Sequence, residues 1–209
     1  MMHLEVVDAN TISDERWIEA QLLQRDSFSS TLEGRSEEDI AQLVSLHDPF
    51  KYIASHRDPN VEVGGRFSGN QEYNRPRVVI AKDGEDLIGF AYSSDNISGT
   101  PMQRAVKRHL VSKNYLWLRE IAVHPEYHRQ GVARKMGKLI LEDADIKQPV
   151  AAYIWPEVRG MDFLEGVLKN LDFFKTGTQD VKIFGKNRPS VKQVRMQAPT
   201  VESVLAKLK

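Results

Sequence analysis

The stretch Leu118-Arg119-Glu120-Ile121-Ala122-Val123-His124-Pro125-Glu126-Tyr127-His128-Arg129-Gln130-Gly131-Val132-Ala133-Arg134 runs an apolar strand through a short turn into a helix. The first turn of a helix carries backbone N–H groups without intrahelical acceptors, together with the positive end of the helix dipole, so it attracts phosphates. Gly131 has no side chain and Ala133 almost none, which lets a bulky anion approach the main chain. Arg129, Arg134, Lys135 and Lys138 add positive charge nearby. The chemistry that these residue types support is binding of a phosphate or pyrophosphate. An ordinary strand-to-helix turn with a solvated basic helix face accounts for the same residues about as well, because a lone Gly-x-Ala is a weak signal. The stretch is not a Walker loop, which needs Gly-Lys-Ser/Thr. It is not a dinucleotide fingerprint either, since the first glycine and the distal acid are missing.

The elements around this turn can be read from periodicity. Residues 3–8 alternate loosely as a short strand. Thr11-Ile12-Ser13-Asp14 is a capping-box pattern that opens a helix carrying Trp17, Ile18, Leu22 and Leu23 on one face. Ser36-Glu37-Glu38-Asp39 opens a second helix with Ile40, Leu43, Val44 and Leu46. Residues 57–77, with Gly64, Gly65 and Gly69, read as a long loop. Strands at 77–82 and 86–92 flank the turn signal Asp83-Gly84 and predict a β-hairpin. The spacing over residues 101–112 predicts a short amphipathic helix whose outer face carries Arg104, Lys107 and Arg108. A strand is expected at 115–123, then a helix from Gly131 with Val132, Met136, Leu139 and Ile140 on one stripe. A strand at 150–155 and a helix at 160–171 follow, then strands at 180–184 and 190–196 and a terminal helix at 200–209. The fold class is α+β, with a mixed sheet and one strand–loop–helix–strand unit at 115–155.

Composition limits what such a chain can do. The 209 residues carry 29 Lys+Arg against 29 Asp+Glu, which disfavours a polyanion binder that relies on whole-molecule charge. Nucleic acid is therefore not the expected partner, and the basic stretch at 101–113 lacks aromatic interleaving. The absence of cysteine excludes disulfides, Cys-ligated zinc, iron–sulfur clusters and a Cys nucleophile. No apolar run approaches the roughly 20 residues a membrane helix needs. The N-terminus resembles no signal peptide, so a cytoplasmic protein without a membrane partner is expected.

Ile121-Ala122-Val123-His124-Pro125-Glu126-Tyr127, followed by His128-Arg129-Gln130-Gly131-Val132-Ala133, resembles the coenzyme A loop of the GNAT superfamily of N-acetyltransferases. That family's pattern is Arg/Gln-x-x-Gly-x-Gly/Ala after a strand ending in Val-x-Pro. The glycine falls on Gly131, the last small residue on Ala133, and the Arg/Gln position on His128. The hairpin at 77–92, with Gly89, resembles the sheet that precedes the loop. Leu171-Asp172-Phe173-Phe174-Lys175-Thr176-Gly177 resembles the family's Leu-Gly-Phe-x-x-x-Gly, with Asp172 in place of the glycine. The resemblance covers about residues 77–197. It implies one acetyltransferase domain over 1–209, with a mostly antiparallel sheet splayed in the middle and flanked by helices. Residues 97–114 are then an insertion and 198–209 a C-terminal helical extension.

The resemblance further implies acetyl-CoA as co-substrate and an amine as acceptor. The pantetheine would pair with main-chain groups of Ile121 and Val123, alongside Ala122. The pyrophosphate would sit on the loop formed by His128, Arg129, Gln130, Gly131, Val132, Ala133 and Arg134. Glu120 and Glu157 occupy positions where relatives carry a glutamate base. A sheet ion pair for Glu120 and a helix-entry carboxylate for Glu157 are the competing readings. Relatives carry a tyrosine acid where this chain has Leu168, so Tyr153, Tyr127 or water would substitute. The acceptor site would draw on Phe28, Arg35, Phe50, Tyr52, Arg66, Phe67, Tyr73, Lys186 and Arg188. No metal is implied. A non-catalytic CoA-binding regulatory or interaction protein of the same fold is the alternative reading. The sequence leaves the acceptor, the acyl length and the oligomeric state open, with a homodimer compatible.

Overall fold

A computed structural model describes residues 2–8, 11–29, 74–95, 115–154, 162–181 and 191–208. The described elements, in chain order, are β1 (Met2–Asp8), α1 (Asp14–Ser29), β2 (Asn74–Asp83), β3 (Asp86–Asp95), β4 (Leu116–Val123), a 3-10 turn (Pro125–Tyr127), α2 (Val132–Glu142), β5 (Val150–Ile154), α3 (Asp162–Asn170), β6 (Phe174–Val181), β7 (Val191–Ala198) and α4 (Val201–Lys207). The strands form one seven-stranded sheet in the order β1-β2-β3-β4-β5-β7-β6. Every pairing is antiparallel except β4 with β5. That one parallel pair is joined through α2, as a crossover between parallel strands requires. The expected α+β class with a mostly antiparallel sheet is what forms.

The alternation of apolar residues sorts the core to both faces of the sheet. Val78, Ile80, Phe90, Tyr92 and Ala122 face Ile12, Trp17, Ala20 and Leu23 from the α1 side. Trp17 is fully buried and meets Phe90 edge-on, with ring centroids 5.5 Å apart. Val79, Ala81, Ala91 and Val123 belong to a second cluster with Val132, Met136, Ile140 and Leu141 of α2 and Val201 and Val204 of α4. Each of these α2 side chains removed from water contributes roughly 1.5–3 kcal/mol, so α2 is anchored along its whole length. Gly89 makes this approach possible: a Cβ there would lie 3.0 Å from Met136 Cε and 3.1 Å from Ala81 Cβ. At the far end of α2, buried Arg77 donates to Asp95 at 2.7 and 3.1 Å and to Asp143 Oδ2 at 2.9 Å.

Three local readings change. The cap of α1 is Ser13, whose Oγ accepts from Arg16 N–H at 3.3 Å; the Thr11 hydroxyl donates to Asp8 O instead. In that helix Leu22 is exposed and Ala20 is buried. The strand after α3 begins at Phe174 rather than near 180, and the helix before it ends in a left-handed residue, Asp172, with φ 72°. Phe173 N–H donates to Leu168 O and Asp172 N–H to Lys169 O, the bonding pattern that usually places glycine at this position. The expected helices at 36–46 and 101–112, and the insertion 97–114, lie outside the described residues.

Candidate active site

The site begins where the sheet divides. β4 and β5 pair in register at Leu116 with Val150, Trp117 with Ala151 and Leu118 with Ala152, and no further among the described residues. Beyond that point β4 stays with β3 as far as Val123 opposite Gly89, while β5 stays with β7 as far as Ile154 opposite Val194. The two strands therefore diverge and open a gap between 119–123 and 153–154. The register states which groups face it. His124 N–H donates to Ile88 O at 2.8 Å, which makes Val123 opposite Gly89 a non-hydrogen-bonded pair. By alternation Ile121 opposite Ala91 is another, so the main-chain groups of Ile121 and Val123 point away from β3 and into the gap. Ala122 turns its amide and carbonyl to β3, and its buried side chain joins the α1-side core. Ile121 is 44% exposed, so the open strand edge has an apolar side chain beside it.

The turn beyond β4 is tied down bond by bond. Pro125–Tyr127 forms one 3-10 turn, closed by Tyr127 N–H to His124 O at 2.9 Å and His128 N–H to Pro125 O at 3.1 Å. His128 Nε2 lies 2.8 Å from Val123 O, and Gln130 Nε2 donates to Glu126 O at 2.9 Å. Arg129 and Gly131 both adopt left-handed backbone, with φ 62° and 78°. Gly131 is the N-cap of α2 and offers no side-chain acceptor, and the first turn contains no acidic residue. The first intrahelical bond runs from Lys135 N to Gly131 O at 3.0 Å, so the amides of Val132 and Ala133 stand ahead of it. A Cβ on Gly131 would meet nothing within 4 Å among the described residues, so the space beside this glycine is open. Uncapped N–H groups, two left-handed residues and exposed Arg129, Arg134 and Lys135 make an electropositive turn suited to a diphosphate. Lys138 is directed instead to Glu142, 3.6 Å away.

The other expected site residues are placed as follows. Glu120 sits opposite Tyr92 and by alternation shares the α1-side face with Ala122, half-buried. It therefore borders the gap from the face opposite α2. Tyr153 lies on β5 opposite Arg195, on the far wall of the gap; its side chain is not described. Glu157 lies outside the described residues, as do Arg35, Phe50, Tyr52, Arg66, Phe67, Tyr73, Lys186 and Arg188; of Phe28 only the backbone is described. Tyr127 donates its hydroxyl to Asp83 at 3.1 Å, and that bond raises its pKa above the usual phenol value and directs its proton to Asp83. Leu168 is half-buried and packs against the α2-side core. One participant was invisible in the sequence: Ser27, near the end of α1, donates its Oγ to Val123 O at 2.8 Å. It is 96 positions from its partner, and no local pattern signals such a pair.

The comparisons agree with this geometry. The model of the acetyltransferase (GNAT) family matches residues 40–148, just over half of the chain. A GNAT-family protein from Desulfovibrio desulfuricans has the same fold with a TM-score of 0.57 at 12% identity, covering 96% of this chain and 99% of that one. The PaiA N-acetyltransferase of Thermoplasma acidophilum, solved in complex with coenzyme A, gives 0.52 at 14% identity over 94% and 99%. Diaminobutyrate acetyltransferase EctA of Paenibacillus lautus, solved with its substrate L-2,4-diaminobutyric acid and coenzyme A, gives 0.52 at 13% over 95% of each. No curated protein matches the chain by sequence. The splayed parallel pair, the uncapped helix after it and the family match lead to one assignment: the chain belongs to the acetyltransferase (GNAT) family.

Proposed function

We propose that the protein is an N-acetyltransferase that moves an acetyl group from acetyl-CoA to a primary amine of a small molecule or peptide. The observation that carries the reading is the open space over Gly131 at the uncapped start of α2, directly beyond a β4 edge turned away from β3. In this reading the amides of residues 129–133 bind the diphosphate, helped by Arg129 and Arg134. The main chain of Ile121, and the amide of Val123, bind the pantetheine as an added strand would. Acetyl-CoA supplies an activated thioester. The chain's own work is to hold that carbonyl in the gap, exclude water and handle protons.

An alkylammonium acceptor of pKa about 10 must lose a proton before it can attack. Glu120, on the α1-side face of β4 beside the gap, is the proposed proton acceptor, and Glu157 is the second candidate. A strand N–H facing the gap can stabilise the oxyanion. The departing thiolate needs a proton, and with Leu168 in the position of the family's tyrosine, Tyr153 or water must provide it. Leu168 also motivates the second reading, a CoA-binding regulatory protein without turnover. Release of free thiol on mixing the protein with acetyl-CoA and a panel of primary amines separates the two. Amine-dependent thiol release supports the enzyme; tight CoA binding with no release above background refutes it in favour of the second reading.

A further inference from the structure

We infer that His128 is a positioning residue: it fastens the loop by donating its Nε2–H to the Val123 carbonyl and does not itself meet the diphosphate. This rests on the loop being the diphosphate seat proposed above. A carbonyl oxygen only accepts, so at 2.8 Å Nε2 must carry the hydrogen. His128 is thus fixed twice, by its ring to the end of β4 and by its amide to Pro125 O at 3.1 Å. The residue that follows, Arg129, has φ 62°, a conformation that non-glycine residues resist. A free chain would abandon it. Here His128 pins the backbone on one side, and Gln130, bonded to Glu126 O at 2.9 Å, pins it on the other. The left-handed residue between them is then held in place directly ahead of Gly131 and the start of α2.

The carbonyl that His128 grips belongs to the β4 edge turned away from β3. Ser27 Oγ donates to the same oxygen at 2.8 Å, so both lone pairs of Val123 O are engaged. That leaves the Val123 carbonyl unsuited to pair with a ligand, and it anchors the end of β4 to α1 and to the loop at one atom. His128 is solvent-exposed, so its replacement leaves both core clusters intact.

The test is calorimetric titration with coenzyme A, and with pantetheine, which lacks the diphosphate, by competition. Loss of one such hydrogen bond predicts a CoA affinity about threefold to tenfold weaker in His128→Ala. His128→Gln, whose amide can donate to the same carbonyl, should recover most of that loss, and pantetheine binding should change less than twofold. The inference is overturned if His128→Ala binds coenzyme A as tightly as the parent. Equal weakening by His128→Gln, which would place the ring itself on the phosphate, also overturns it. So does loss of pantetheine binding by the same factor. Failure of the parent protein to bind coenzyme A would instead sink the diphosphate seat itself, before any variant is compared.

Discussion

Replacing Gly131 by glutamate strikes the seat where it is most exposed to a change of charge. Gly131 has φ 78°, so any L-residue there bears a backbone strain of about 1–2 kcal/mol. A Cβ would contact nothing within 4 Å among the described residues, so no clash at Cβ adds to that figure. For a chain of this size, a loss of about 1–2 kcal/mol lowers the melting temperature by roughly 2–8 °C, and the variant stays folded. The effect on binding is larger. The carboxylate would enter the open space beside Gly131, and a separation of about 5 Å from a bound phosphate is taken as the working distance. At an effective dielectric of about 20, one pair of like charges at that distance repels by about 3 kcal/mol, and each 1.4 kcal/mol is about tenfold in affinity. Gly131→Glu should therefore weaken coenzyme A by more than about a hundredfold, whereas Gly131→Ala, which adds bulk without charge, should lose less. Isothermal titration with coenzyme A, on variants shown by thermal melts to be folded, reads both. A folded Gly131→Glu protein that binds coenzyme A within threefold of the parent would refute the placement of the diphosphate over residue 131.

Asp172→Gly should stabilise the protein by about 1 kcal/mol, since φ 72° favours glycine there; a melting temperature that falls would contradict the assigned helix end. Arg77→Ala should destabilise it by about 3–5 kcal/mol, because buried Asp95 loses its bidentate partner and Asp143 its tie to β2; urea denaturation measures the loss, and a change under 1 kcal/mol would show that the network is dispensable. Glu120→Gln should lower kcat about a hundredfold or more while coenzyme A affinity holds, as expected for a proton acceptor on the face opposite α2; equal kcat in the variant would assign Glu120 to the sheet alone.

Much of this was legible in the sequence wherever an element buries one face by itself. The β2–β3 hairpin follows from alternating apolar residues around Asp83-Gly84, and Gly84 takes φ 61° as that turn requires. Of the α2 stripe, Val132, Met136 and Ile140 are buried as its spacing predicts, whereas Leu139 is only half-buried and Leu141 joins the core. The periodicity signals β6 only from 180, six residues late, because it is an edge strand with Lys175, Thr176, Gly177 and Gln179 in its run, and Phe174 is 51% exposed. Its Gly177 lies against the Arg195 guanidinium of β7, a neighbour that only the sheet pairing brings there. The turn at 124–131 was legible as a candidate phosphate site from Gly131 and Ala133. Its rigidity was not, because the bonds from Ser27 and His128 to Val123 O depend on where the backbone carries these residues. The same holds for Arg77, whose partners Asp95 and Asp143 are 18 and 66 positions away.

Amide chemical shifts recorded while unlabelled coenzyme A is added to isotopically labelled protein report on the binding surface residue by residue. The account predicts saturable shifts at Ile121, at Val123 and across residues 129–133, with β1 and β6 unmoved. Shifts confined to other elements, or none at millimolar coenzyme A, would contradict it.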